Sequence, residues 1–321
     1  MDRAPLQDAS ARARESLPER FLARLDEEFD TTTTERVLAA MAMPSPRGVR
    51  LNCLRAEPEA TRNRLQADGF TFTDVPWCKN AIVFDHEDIP RLLEHPLWQS
   101  GAFYVQALPS IAASVILDPQ PNERILDLCA APGGKTAHIA AIMNNTGSIV
   151  ATDRSRSRCH RMRALLKMLG ATAHVRTGDG TQHGHQEPMA FDRVLVDAPC
   201  SGEGRFTLDK EASYSDWTPN KTRRLASLQK ALLHSAIHAV RPGGVVVYST
   251  CTYGRAENEA VIERALKRYG EGPTGVELEA FSQTIPGETN GVFRSIPDPM
   301  GDVVAQAMEG FFIAKLRRRE R

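Results

Sequence analysis

None of the six cysteines, at 53, 78, 129, 159, 200 and 251, falls in a Cys-x-x-Cys pair. That absence speaks against both a zinc site and a disulfide framework, so reduced thiols and no metal are expected. Net charge is missing too, since 40 basic side chains balance 40 acidic ones. No chain-wide positive field advertises a nucleic-acid partner, and any such surface must be local. No apolar run approaches the roughly 20 residues that cross a bilayer. The stretch from Asp2 to Asp30 intersperses acids and arginines and lacks the apolar segment of a signal peptide. These absences lead to the expectation of a cytoplasmic chain with no membrane partner. Internal repeats and low-complexity segments are also lacking, and no self-complementary apolar surface is visible, so a monomer is expected.

What is present is organised around Ile125-Leu-Asp-Leu-Cys-Ala-Ala-Pro-Gly-Gly-Lys-Thr136. A short apolar run stops at small residues and a Pro-Gly-Gly turn, and apolar residues then resume at helical spacing, which predicts strand, tight turn, helix. The phosphate loop of ATPases needs a glycine five places before its Gly-Lys-Thr, where this chain has Cys129. The dinucleotide fingerprint Gly-x-Gly-x-x-Gly is absent as well. There remains a small-residue loop opening a helix, followed by Asp153 at the end of the next strand, where an acid can accept both hydroxyls of a ribose.

From residue 118 onward, predicted strands (Arg124–Leu128, Ser148–Thr152, Ala173–Arg176, Arg193–Asp197, Gly243–Ser249) alternate with helices. Alternation of this kind is the signature of a mostly parallel sheet covered on both faces. Val292–Ser295 and Gly310–Leu316 predict a closing antiparallel hairpin. The expected fold class is therefore α/β, with a Rossmann-like domain over 118–316 and a basic tail over 317–321. Ahead of it, 46–117 reads as β-α-β-β-α-β, a small ferredoxin-like or RNA-recognition-type module. Residues 1–45 read as a helical extension, a cap or pair interrupted by the threonine run 31–34.

Acids recur at or near successive strand ends: Asp127, Asp153, Asp179 and Asp197. Asp153 suits a ribose and Asp179 an adenine amino group, and the turn leaves room for an amino-acid moiety with no second arm in view, so the pocket suits S-adenosylmethionine at least as well as a pyrophosphate-bearing dinucleotide. Two more strand ends carry thiols: Asp197-Ala-Pro-Cys-Ser-Gly-Glu-Gly204 and Tyr248-Ser-Thr-Cys-Thr-Tyr253. Carbon 5 of cytosine is too poor a nucleophile to take a methyl group unaided. A thiolate adding to carbon 6 makes it an enamine that attacks the methyl donor, and a second thiol can remove the carbon 5 proton or help expel the product. Asp197 is placed to hold ring nitrogen 3 and the amino group, best as a protonated acid, and Lys135 to lower a thiol's pKa.

Ile125–Thr136, Asp197–Gly204 and Ser249–Glu259 resemble the motifs of the RsmB/RsmF, or Nol/Nop/Sun, family of S-adenosylmethionine-dependent RNA cytosine-5 methyltransferases. The likeness extends upstream to Gly48–Arg55 and His95–Gln106 and downstream to Gly310–Leu316. It implies that Cys251 is the nucleophile and that Cys200 assists release of methylated RNA. It further implies that Cys129, Ala130, Ala131, Pro132, Gly133, Gly134, Lys135, Asp153, Arg158, Asp179 and Asp197 hold the cofactor, and that Lys315 lies near the active site. Ribosomal RNA is the expected substrate, with transfer RNA as an alternative; a non-catalytic RNA-binding assembly factor would show a broken cysteine pair. For RNA contact, the loop after Cys200 offers Arg205, Lys210, Lys221, Arg223 and Arg224 around Tyr214 and Trp217, aromatics that could stack on a base. A second candidate is the helical stripe Arg156, His160, Arg163 and Lys167.

Overall fold

The computed structural model describes residues 4–271, 275–282 and 285–320. Three helices open the chain: α1 (Ala4–Ser16), α2 (Glu19–Glu28) and α3 (Thr31–Ala42). The threonine run does not interrupt this region as expected. It starts α3, because the Asp30 side chain caps the helix by accepting the Thr33 N–H at 2.9 Å.

Next come β1 (Arg47–Leu51), α4 (Pro58–Ala67), β2 (Thr73–Asp74), β3 (Ala81–Phe84), α5 (Ile89–Glu94), α6 (Pro96–Gln99) and β4 (Phe103–Val105). The four strands form one antiparallel sheet in the order β2-β3-β1-β4. Its covered face packs Val49, Leu51, Ile82, Phe84 and Phe103 against Leu65 of α4 and Leu92 of α5.

Helix α7 (Leu108–Leu117) leads into the larger layer. Its elements are β5 (Arg124–Asp127), α8 (Gly134–Ile142), β6 (Ser148–Asp153), α9 (Arg156–Leu169), β7 (His174–Thr177), α10 (His183–Gln186), β8 (Phe191–Asp197), α11 (Pro219–Ala239), β9 (Val240–Thr250) and α12 (Glu259–Tyr269). It closes with β10 (Val276–Leu278), β11 (Glu288–Thr289), β12 (Val292–Ser295), α13 (Val303–Gln306) and β13 (Phe311–Arg318). The sheet runs β11-β12-β13-β9-β8-β5-β6-β7, with β10 also on β13. Strands β5 to β9 pair in parallel, while β10, β11, β12 and β13 are antiparallel. This is the expected Rossmann-like methyltransferase architecture. The chain builds outward from β5 to β7 and then returns to place β8 on the other side of β5, so the switch in strand order lies between β5 and β8, where open α/β sheets hold their ligands.

The basic tail needs correcting. Arg317 and Arg318 belong to β13, because each guanidinium finds an acceptor on a neighbouring strand or helix: Arg317 pairs with Glu279, and Arg318 donates to the Val240 carbonyl at 2.6 Å. Arg319 pairs with Glu277 at 3.1 Å, and Arg321 lies outside the described residues.

Candidate active site

Gly133 sits at φ 109°, a left-handed conformation that side chains rarely adopt, and a Cβ there would meet Met162 Cγ at 2.9 Å. This glycine lets the chain turn sharply from β5 into α8. The first N–H groups of that helix have no intrahelical acceptor, so its start favours a carboxylate. Beneath the turn is a cavity of about 230 Å³ bounded by Cys129, Asp153, Arg158, Asp179, Pro199 and Leu232, among others. Asp153 is buried and accepts from the Ser155 N–H at 2.9 Å and from Arg158 at 2.9 Å. Arg158 also donates to the Ala131 carbonyl, tying the loop to the wall of the cavity. Asp179 is exposed at the rim and caps Thr181. Ala130 and Ala131 are buried and Pro132 is exposed; with Gly133 and Gly134 they form the turn rather than the cavity wall. Burial, and then the neighbouring acids Asp127, Asp197 and Asp153, push the Cys129 thiol up, so it stays protonated and inert. Asp127 points elsewhere: buried and raised to about 7 by desolvation, it accepts from Thr136 Oγ1 at 2.8 Å and anchors the first turn of α8. A deep acid, a rim acid and a turn of small residues around one cavity fit a nucleoside joined to an amino acid.

The second half of the site follows from register. β8 and β9 are parallel neighbours with Asp197 opposite Ser249. Each strand runs into a turn carrying a thiol, so the two turns must lie side by side. Cys200 Sγ is 3.2 Å from Cys251 Sγ and also accepts the Cys251 N–H at 3.3 Å. The Cys251 thiol is held below its ordinary value, first by the hydrogen bond from Cys200 and then, against burial, by the Arg205 and Lys135 cations. Cys200 is pushed the other way, by that same bond and by burial. In this pair Cys251 is therefore the sulfur prepared to carry negative charge. Asp197 stands beside it, with Oδ2 accepting from Lys135 Nζ at 2.7 Å and Oδ1 from Ser249 Oγ at 2.8 Å. Both oxygens of Asp197 are engaged as acceptors in this structure.

Two buried carboxylates that sequence reasoning missed hold the thiol turns. Glu257 accepts from the Ser201 N–H at 3.0 Å, Ser201 Oγ at 2.5 Å and Gln229 at 2.8 Å, which fixes the residue after Cys200. Glu203 accepts from Trp217 Nε1 at 2.8 Å and from the Tyr253 and Gly254 N–H groups at 3.1 and 3.2 Å, which ties the chain after Cys200 to the chain after Cys251. The only sequence hint was the Gly-Glu-Gly at 202–204, where a charge is flanked by residues that let backbone come close. Also missed was Phe311, whose ring centroid lies 5.5 Å from Lys135 Nζ at the mouth of the Asp197 site.

Other expectations are redistributed. Trp217 and Tyr214 are buried with Phe21, Leu25, Leu38 and Phe206, so they anchor the loop to the N-terminal helices and are not free to stack on a base. Covering a side chain of this size is worth about 1.5–3 kcal/mol, more than an exposed position would return. Lys221 pairs with Asp216. Lys315 is not brought to the thiols: it lies opposite Val247, and its ammonium binds Glu279 at 2.8 Å. Arg156, His160, Arg163 and Lys167 are exposed along α9, with Met162, Leu166 and Leu169 turned to the core. Among the described residues no His, Cys, Asp or Glu cluster could hold a metal, and no helix is long and apolar enough to cross a membrane.

Comparison with known proteins adds an independent line. The family model described as 16S rRNA methyltransferase RsmB/F matches residues 114–317, and that of the N-terminal domain of 16S rRNA methyltransferase RsmF matches residues 17–108. Ribosomal RNA small subunit methyltransferase F of Escherichia coli O81 (strain ED1a) is 36% identical over 315 residues, covering 94% of this chain and 63% of that protein. The chain thus spans a little under two thirds of the curated relatives it matches. A methyltransferase homolog protein from Pyrococcus horikoshii superposes with a TM-score of 0.79 at 29% identity, covering 99% of this chain and 100% of the other. NSun6 from the same organism, solved with SFG, shares the fold at a TM-score of 0.82 and 22% identity over 96% of this chain and 100% of the other.

Proposed function

We propose a function on one premise: the chain belongs to the 16S rRNA methyltransferase RsmB/F family. It transfers a methyl group from S-adenosylmethionine to carbon 5 of a cytosine in small-subunit ribosomal RNA. The observation that carries this reading is the 3.2 Å approach of Cys200 and Cys251 beside the Asp197–Lys135 pair. One thiol suffices to add to a pyrimidine, and a second at contact distance has a use when the adduct must be undone.

S-adenosylmethionine supplies an electrophilic methyl group when bound. Asp153 takes the ribose hydroxyls, Asp179 the adenine amino group, and the Gly133–Gly134 turn with the start of α8 the amino-acid carboxylate. Asp197 accepts from the exocyclic amino group of the flipped cytosine, while Lys135 donates to ring nitrogen 3, where negative charge gathers as the thiol adds. The Cys251 thiolate attacks carbon 6, which makes carbon 5 nucleophilic. After methyl transfer Cys200, once its thiol proton has passed to solvent, takes the carbon 5 proton while the bond from Cys251 to carbon 6 breaks, Cys251 leaves as the thiolate and the ring regains its double bond.

The test uses two variants and small-subunit RNA with labelled methyl donor. Cys251→Ala abolishes methylation and retains cofactor binding. Cys200→Ala forms the adduct and cannot clear it, so protein migrates covalently bound to RNA on a denaturing gel. Turnover by Cys251→Ala, or a Cys200→Ala enzyme that releases product at the parental rate, overturns the assignment. Equal labelling of transfer RNA overturns the choice of substrate.

A further inference from the structure

Between α11 and α12 lies a cavity of about 370 Å³ whose walls include Lys230, Arg264 and Arg268 and no carboxylate. All three cations are exposed, and among the described residues none has an acidic partner within 4.0 Å. No neighbouring acid among the described residues neutralises them, so the hollow is lined by positive charge. His234 and His238 follow Lys230 at one and two helical turns, and the Tyr269 hydroxyl touches both imidazoles, lying 3.3 Å from His238 Nε2. Burial holds both imidazoles below their ordinary value, with Arg268 among the cations that add to the effect. Arg264 and Arg268 are like charges four residues apart on α12, an arrangement that destabilises a helix, and Lys230 of α11 faces them across the hollow. An anion in the hollow turns that repulsion into attraction.

The position says which anion. Helix α12 starts at Glu259, directly after Asn258, whose side chain bonds Thr250 Oγ1 at 2.5 Å and the Thr252 carbonyl at 3.0 Å, on either side of Cys251. At about 1.5 Å per residue, Arg264 is roughly 8 Å along the helix from the catalytic turn. A polyanion with one base in the thiol pocket carries further phosphates across that distance.

We propose that the α11–α12 cavity binds the sugar-phosphate backbone of the RNA substrate next to the target nucleotide, with Lys230, Arg264 and Arg268 each meeting a phosphate. The proposal rests on RNA being the substrate and adds where its backbone runs. The test is the full chain with Lys230→Gln, Arg264→Gln and Arg268→Gln combined, a surface change whose melting temperature is checked against the parent. Binding to small-subunit ribosomal RNA is measured by fluorescence anisotropy from 50 to 300 mM KCl. Three lost phosphate contacts lower the magnitude of the slope of log affinity against log salt by about 2 to 3, and affinity at 50 mM KCl falls at least tenfold. An unchanged slope overturns the proposal. So does a cavity that takes only small phosphates, seen as inorganic triphosphate binding lost in the triple variant while its RNA slope stays parental. The Cys200→Ala adduct is scored in parallel: an adduct with an unchanged slope removes this surface alone, and a changed slope without an adduct removes the catalytic assignment and leaves the surface.

Discussion

Replacing Glu203 by glutamine tests whether a buried carboxylate holds the two thiol turns together. Glu203 is fully buried, and besides three N–H donors it meets Arg24 of α2 at 2.8 Å. Glutamine keeps the shape but loses the charge and presents an NH₂ group to partners that are themselves donors. Breaking a buried ion pair costs about 3–5 kcal/mol. Arg24 keeps Glu28 at 3.2 Å and its side chain is 17% exposed, so the low end, about 3 kcal/mol, is expected. At about 2 °C per kcal/mol for a chain of this size, the melting temperature drops by about 6 °C in calorimetry. Adding Arg24→Met removes the stranded cation, so the double variant is less destabilised than the sum of the singles, by about 1 kcal/mol or more. A Glu203→Gln protein that melts within 2 °C of the parent, or singles that simply add, refutes the argument that this carboxylate clamps the site.

Four further outcomes follow from the geometry. With sulfurs 3.2 Å apart, diamide joins Cys200 to Cys251 ahead of any other pair, read by peptide mapping; a different first pair counts against the convergence of the two turns. Because Cys251 is held below the ordinary thiol value and Cys129 is raised, iodoacetamide at neutral pH labels Cys251 ahead of Cys129, and mass spectrometry showing the reverse order contradicts the assignment. Asp153→Asn weakens S-adenosylmethionine binding about tenfold in calorimetric titration, the loss of a charged hydrogen-bond acceptor worth about 1.5 kcal/mol, and an unchanged affinity removes the ribose role. The His138, His183, His234 and His238 imidazoles all lie below 6.5 in the folded chain, chiefly through burial. The unfolded chain therefore takes up these protons first as pH falls through 6.5. Asp127, raised to about 7, takes up one proton in the folded chain over the same range and opposes them; four imidazoles against one carboxyl leave stability dropping on acidification from pH 7.5 to 5.5, and a melting temperature that rises over this range contradicts the sign.

How much was legible in the sequence depends on what each signal encodes. The alternation of apolar strands with amphipathic helices specified the parallel sheet, since burial on both faces leaves a local pattern. The Pro-Gly-Gly turn announced the cofactor loop because a left-handed backbone at Gly133 needs glycine. The two thiols were visible as motifs. Misplaced were charged and aromatic residues whose partners come from distant segments. Trp217 read equally as a stacking platform or a loop anchor, and its contacts with Phe21 and Glu203 make it the anchor. Lys315 looked like a neighbour of the active site until Glu279 claimed its ammonium, and Arg317 and Arg318 looked like a loose tail until β9 and β10 flanked them.

By itself the amino-acid order determined which elements form and which residues bear reactive groups, because hydrophobic periodicity, turn chemistry and side-chain identity are properties of short stretches. Only the tertiary structure decided that Cys200 and Cys251 meet, that Asp197 is an acceptor paired with Lys135, that Glu203 and Glu257 hold the two turns, and that three unpaired cations share one hollow on α11 and α12. Contact distance and local electrostatic potential arise from segments 50 or more residues apart, as for Cys200 and Cys251, and such relations exist only once the strands have chosen their register.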